Sequence, residues 1–403
     1  MTQEHQVIID TYECARQAYL SRDLSQALYA DGEVVMDDVL ITLHGEDHRM
    51  RRRLENRLFR REVFFSYENE LFPDIIQETL GPHVAAGKAE LVSVSHQLMM
   101  NLAALTAGVD RPKGTPEESF RLYDYLMVFI EGATLVHYKG DKQAKEAEIK
   151  HALAAFDEEF LTPGIVRRAA LITEFQDDRI SEADLPQDVL TVLLRNEDSL
   201  NLPHQVILRE VAFYLLAGAH TSATAFTRTM HNIFLWLDQN PDRRDKIRSP
   251  AFIQRCVHET IRLAPSSPVS ERWAEKDIQL ASGPGIDKGS KVVIDLIQVN
   301  RDRSVFGDDA EEFNPERKLP PSVPEYGLSF GLGMHACIGK ELAAGILNEN
   351  SSDSDSHLNG VVTLAVQSML ANGCRPDPND PPQMNASTSR PYFGRYPVIF
   401  DKP

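Results

Sequence analysis

The sequence predicts a mainly α chain with small β-sheets, folded as one domain over residues 1–403. Three observations point there. Residues 211–237 are apolar for most of their length, with Gly218 as the one interior breaker, and read as a long helix buried on several sides. Residues 251–263 form a second helical run that stops before Pro265. Only short β-branched segments follow, at 291–294 and 397–400.

The long helix is announced by Asn201-Leu-Pro203 and ended by Asn240-Pro241-Asp242. Residues 300–321 are polar, carry Pro315, Pro320 and Pro321, and predict an irregular meander. Residues 348–357 are rich in Ser and Asp and predict a surface loop. No internal repeat or linker marks a domain boundary.

Composition narrows the function classes. A net charge of −18 disfavours nucleic acid and anionic membrane as partners. Cys14, Cys256, Cys337 and Cys374 are too scattered for a disulfide framework or a zinc site, which fits a reducing compartment. The first residues carry neither a basic nor an apolar signal region, and no apolar run approaches a membrane span. The expectation is a soluble, cytoplasmic monomer that engages neither membrane nor nucleic acid.

Residues 330–343 carry most of the functional information. They read Phe-Gly-Leu-Gly-Met-His-Ala-Cys-Ile-Gly-Lys-Glu-Leu-Ala. Gly331 and Gly333 let the backbone turn tightly and lie close to something flat. A helix starting just after Cys337 would aim its N–H groups back at the sulfur and favour the thiolate. A thiolate held against a flat partner suits a haem iron ligand.

This run resembles the haem-thiolate signature of cytochrome P450s at Phe330, Gly331, Gly333, His335, Cys337, Gly339, Leu342 and Ala343. The resemblance covers nearly the whole chain, from near Tyr12 to Arg395-Tyr396-Pro397-Val398. It implies the P450 fold and haem b ligated by Cys337, with Phe330, Gly331 and Gly339 against the cofactor. Glu259 and Arg262, one helical turn apart, match the family's E-x-x-R pair, and Arg317 in the meander completes its structural triad. His48 and Arg52 match an H-x-x-x-R pair beside the haem propionates. Arg272 and His335 match further propionate contacts. His48 arrives early for the family, so a shortened N-terminal sheet region is expected.

Within the long helix, Ala217-Gly218-Ala219-His220-Thr221-Ser222 is similar to the family's distal segment. The resemblance gives Gly218 the dioxygen groove and Thr221 the hydroxyl that bonds iron-bound oxygen. His220 stands where an acid is usual. It can be a proton relay, since imidazole titrates near neutral pH, or a packed histidine. The expected substrate pocket is Phe213, Leu216, Ala217, Ala219, Pro268 and Val269.

The implied activity is a monooxygenase that inserts one atom of O2 into a small or medium apolar substrate, with electrons from a ferredoxin and ferredoxin reductase. The alternatives are a P450-type enzyme of atypical chemistry (peroxide-driven, coupling or dehydration), since the acid before Thr221 is absent, and a non-catalytic haem-binding protein. Arg49, Arg51, Arg52, Arg53 and Arg57, with Lys340, form a basic cluster on the side expected to dock an acidic ferredoxin. Arg49, Arg53, Arg57 and Lys340 are its expected exposed members.

Overall fold

The long apolar run folds as one helix, His204–Gln239, capped by Pro203 and stopped at Asn240 before Pro241. Gly218 does not break it. A Cβ at Gly218 would lie 3.0 Å from the Ala103 Cβ, so glycine here lets the Leu91–Ala107 helix pack tightly across the long helix. The computed structural model describes residues 5–347 and 357–401. Part of the predicted loop at 348–357 therefore lies outside the described residues.

The N-terminal strands are present and short. A four-stranded sheet runs Gln6–Ile9, Lys291–Asp295, Val269–Ala274, Leu24–Gln26. Its first pair is parallel and the others antiparallel. A three-stranded antiparallel sheet places Pro397–Ile399 between Lys88–Glu90 and Arg375–Pro376. The helical core gathers around the long helix, and a smaller apolar cluster fills the space beneath the four-stranded sheet. Among the described residues no helix is long and apolar enough to cross a membrane.

The meander is held by buried charge. In the Pro250–Leu263 helix, Arg262 donates Nε and Nη2 to the two Glu259 carboxylate oxygens at 2.6 and 2.7 Å. Its Nη1 donates to the Asn300 and Ala310 carbonyls at 2.6 and 2.8 Å. Arg317 reaches Glu259 at 3.3 Å and also bonds Asp309. Glu259 further accepts from the Asn314 N–H at 3.0 Å. Spacing of three put Glu259 and Arg262 on one face, and the fold turns that face into the meander.

The helix after Cys337 is shorter than expected. It spans Lys340–Ala344 and resumes at Val361–Ala371. The two ends meet at a glycine joint: Gly345 and Gly360 have φ of +70° and +82°, and a Cβ on Gly360 would fall 2.3 Å from the Gly345 nitrogen. Gln254 and His258 donate to the stranded Ala344 carbonyl at 3.1 and 2.7 Å. Glu68 accepts from the Gly360 and Asn359 N–H groups at 2.7 and 3.0 Å, which caps the second segment.

Candidate active site

The cysteine loop is closed by its own backbone. The Cys337 N–H donates to the Phe330 carbonyl at 2.8 Å. Gly331 and Gly333 hold positive φ, and a Cβ on Gly333 would lie 2.6 Å from the Tyr19 carbonyl oxygen, so only glycine lets the loop press on the Tyr12–Leu20 helix. Phe330 packs edge-on against Tyr326 with ring centroids 4.8 Å apart.

Cys337, Ile338, Gly339 and Leu342 form one wall of an internal cavity of about 340 Å³. Cys337 counts as exposed by surface area and as buried by the atoms packed around it, because its accessible face is the cavity wall. Burial pushes the thiol above its ordinary value, opposed by the Gly339 N–H and by the Arg52 and Lys340 charges. The expected dipole assistance is therefore outweighed by burial. The short Lys340–Ala344 helix supplies little dipole, and the Gly339 N–H is the specific donor.

The predicted propionate partners all line this cavity: His48, Arg52, Arg272 and His335. His48 Nδ1 and His335 Nε2 are buried with no hydrogen-bond partner. The two imidazoles lie 4.5 Å apart by ring centroid. Burial first, then neighbouring positive groups, lowers the pKa of both. Arg52 donates to the Ala336 carbonyl and Arg272 to Gln26, and neither meets a carboxylate among the described residues. Two arginines and two unsatisfied imidazoles around one cavity edge match a ligand with two carboxylates.

The long helix contributes Phe213, Leu216, Ala217, Gly218, His220 and Thr221 to the lining of the same cavity. The Thr221 hydroxyl donates to the Ala217 carbonyl at 2.7 Å, and its oxygen remains accessible from the cavity. Val269 also lines the cavity; Ala219 and Pro268 do not. Ala219 is fully buried in the helical core, about 100° around the helix from Gly218. Pro268 sits at the sheet, where its carbonyl accepts from the Leu296 N–H at 3.0 Å. Lining residues absent from the sequence reading include Met99, Leu102 and Arg390, which lie far from any motif.

His220 stands between this cavity and a smaller one of about 190 Å³ lined by Ser93, His96, Thr224 and Tyr392. Its tautomer follows from its neighbours. His96 Nδ1 lies 2.9 Å from the Val92 carbonyl, which only accepts, so Nδ1 carries the proton. His96 Nε2 then accepts from His220 Nδ1 at 3.3 Å. That leaves His220 Nε2 as a buried acceptor without a partner. Burial first, then His96, Arg390 and Arg228, hold the His220 pKa well below its ordinary value. A low-dielectric site among positive groups disfavours imidazolium.

The basic cluster divides. Arg53 and Arg57 are exposed, Arg49 is exposed and paired with Glu46 at 2.5 Å, and Lys340 is half-buried. Arg51 turns inward and bonds Glu210 of the long helix at 2.7 Å. Glu210 also accepts from the Leu40 N–H, and Glu55 beside it accepts from the Tyr214 hydroxyl at 2.5 Å. Burial and the Glu210 charge hold Glu55 well above the ordinary carboxyl range.

A family model for cytochrome P450 matches residues 251–347, which contain both the Glu259–Arg262 pair and the Cys337 loop. The solved structure of HmtT, involved in himastatin biosynthesis, overlays with a TM-score of 0.73 at 21% identity, covering 97% of this chain and 91% of that one. P450BioI, solved with an acyl carrier protein ligated to hexadec-9Z-enoic acid, overlays with a TM-score of 0.71 at 20% identity, covering 98% and 92%.

The chain has the cytochrome P450 fold, and residues 251–347 match the P450 family model.

Among curated P450 relatives, a bifunctional cytochrome P450/NADPH–P450 reductase of Bacillus subtilis (strain 168) is 27% identical over 177 residues, 39% of this chain. The chain spans 17% and 18% of the length of the first two curated relatives it matches. A P450 carries haem bound through a cysteine thiolate. Of the two cysteines inside the matched region, Cys337 opens on the cavity, whereas Cys256 is fully buried in the Pro250–Leu263 helix. With the unsatisfied His48 and His335 nitrogens, the residues of this chain fit that cofactor.

Proposed function

We propose that the protein is a haem b monooxygenase that inserts one oxygen atom of O2 into a substrate with an apolar body, with electrons from a ferredoxin and its reductase. The observation that carries this is that Cys337 and Thr221 line one largely apolar cavity. Bound haem would supply dioxygen activation and the oxidation itself, and coordination of Cys337 to its iron would take the proton off the thiol.

The chain does the rest. Arg52, Arg272, His48 and His335 would hold the propionates of a bound haem. Phe213, Leu216, Met99 and Val269 exclude water and orient the substrate. The Thr221 oxygen, tethered to Ala217, offers a fixed hydroxyl for proton delivery. His220 serves as a neutral acceptor that positions the polar groups around it. The whole chain acts as one domain, a cytoplasmic monomer, and Arg53, Arg57 and Lys340 form the face that meets the acidic ferredoxin.

The test compares product formation with ferredoxin and reductase against hydrogen peroxide alone. The proposal requires turnover with the reductase system. It also requires Thr221→Ala to lower product per reductant consumed, by about 10²-fold or more if the hydroxyl delivers the proton. Peroxide-only turnover that is indifferent to Thr221→Ala overturns it in favour of the peroxide-driven alternative.

A further inference from the structure

Six arginines are buried among the described residues, and one of them lacks the partners a buried guanidinium needs. Arg51, Arg168 and Arg262 each meet a carboxylate. Arg228 donates to three carbonyls, those of Ala264, Pro265 and Pro391. Arg272 bonds Gln26 and the Glu271 carbonyl at the propionate edge. Arg390 is 7% exposed and lines the large cavity, yet its guanidinium makes a single hydrogen bond, from Nη1 to the Tyr392 hydroxyl at 2.8 Å. Its Nε is buried without a partner, and no carboxylate reaches it among the described residues.

The surroundings do not compensate. The Tyr392 hydroxyl is itself committed to the Ser266 carbonyl at 2.7 Å. The Tyr392 ring is shared between two cations, with the Arg390 guanidinium 5.9 Å and that of Arg228 5.2 Å from its centroid, so a ring face and a like charge stand where a carboxylate would be needed. A buried, unpaired charge is costly, and it is costlier beside a like charge. Arg390 is held in place by a short polar turn: its backbone N–H bonds the Thr388 hydroxyl at 3.2 Å, and Pro391 follows. Arg52 and Arg272 would balance the two propionates of a bound haem, which leaves Arg390 as a further cation on the cavity wall without a carboxylate among the described residues.

We propose that Arg390 anchors the substrate, and that the substrate is an organic anion: an apolar body that fills the cavity, bearing a carboxylate that pairs with the Arg390 guanidinium. This rests on the reading of the cavity as a haem-thiolate active site. It deepens that reading by naming the substrate's chemical class. Arg390 is then a specificity-determining residue, since a carboxylate satisfies two guanidinium N–H groups at once and a neutral ester cannot.

The test uses the haem-loaded protein and follows the Soret shift on binding. Straight-chain carboxylates of graded length and phenylalkanoates are titrated beside their methyl esters. The expected result is binding of at least one carboxylate, tighter than its ester by about 10- to 100-fold, the range of a hydrogen-bonded charge. That preference should vanish in Arg390→Gln and persist in part in Arg390→Lys, with haem content unchanged. The acid–ester comparison in the parent protein decides the matter even if a variant folds poorly. Equal binding of acid and ester overturns the proposal, as does a panel in which no carboxylate binds. A preference that survives Arg390→Gln, or haem loss in that variant without a preference in the parent, overturns it as well. A parent protein without a thiolate-type carbon monoxide band would instead overturn the underlying haem-thiolate reading, so the two failures are distinct.

Discussion

Arg262→Lys tests how the fold holds the cysteine loop in place. Arg262 has no accessible surface and makes two charge-assisted bonds to Glu259 and two to the Asn300 and Ala310 carbonyls. A lysine ammonium keeps the charge but not the planar fork, so it can serve one carboxylate oxygen and one carbonyl at most. The change therefore removes about one charged hydrogen bond, worth ~1.5–3 kcal/mol. It also strands a buried carbonyl, which costs a further ~1–3 kcal/mol. The expected loss is about 3–5 kcal/mol, a large share of the ~5–15 kcal/mol that typically holds a folded domain. Urea unfolding followed by near-UV circular dichroism measures it, and transfer of haem to an excess of a haem-binding acceptor should accelerate in parallel. The exposed pair Arg49–Glu46 provides the control, because Arg49→Ala should be near neutral. A loss below ~1 kcal/mol for Arg262→Lys, with unchanged haem transfer, would show that the triad does not secure the meander.

Two further predictions address groups away from the cavity. Burial and the Glu210 charge raise the folded-state value of Glu55 above its unfolded one, so its contribution is fully present below the unfolded value and is lost as pH rises through the folded value. In that window the folded chain binds one more proton than the unfolded chain, and stability should fall by about 1.4 kcal/mol per pH unit. Glu55→Gln should flatten this alkaline decline in denaturant titrations, and an unchanged slope would remove Glu55 as its source. At the glycine joint, Gly360→Ala places a methyl 2.3 Å from the Gly345 nitrogen, whereas Gly45→Ala, also at positive φ, meets nothing within 4 Å. Gly45→Ala should cost only the left-handed penalty of ~1–2 kcal/mol, and Gly360→Ala clearly more. Equal losses would show that the joint relaxes freely.

What the sequence disclosed was what lies close together along the chain. The Cys337 loop and the Glu259–Arg262 pair are local patterns, and local spacing determines their geometry. The long helix was legible because it is apolar for most of its length, and Gly218 proved to be a packing contact with Ala103. The cavity was legible only where the long helix contributes to it. Ala217, Gly218, His220 and Thr221 face it while Ala219 turns into the core, a distinction fixed by packing partners that sequence does not name. His96 and the Glu55–Glu210 pair meet partners more than a hundred residues away, and Arg390 gains its character from burial on the cavity wall, so no motif marks them. Gly345 and Gly360 were the available signal for the interrupted helix behind Cys337. Read with the polar run between them, they mark where the chain leaves the helix and returns.

The most direct test of the central claim is the absorption spectrum of the reduced carbon monoxide complex in the parent and in single cysteine variants. The account predicts the red-shifted band of thiolate ligation in the parent and in Cys14→Ala, Cys256→Ala and Cys374→Ala, and its loss in Cys337→Ala alone. A Cys337→Ala protein that retains the band would contradict the assignment of the cavity, its ligand and the function built on them.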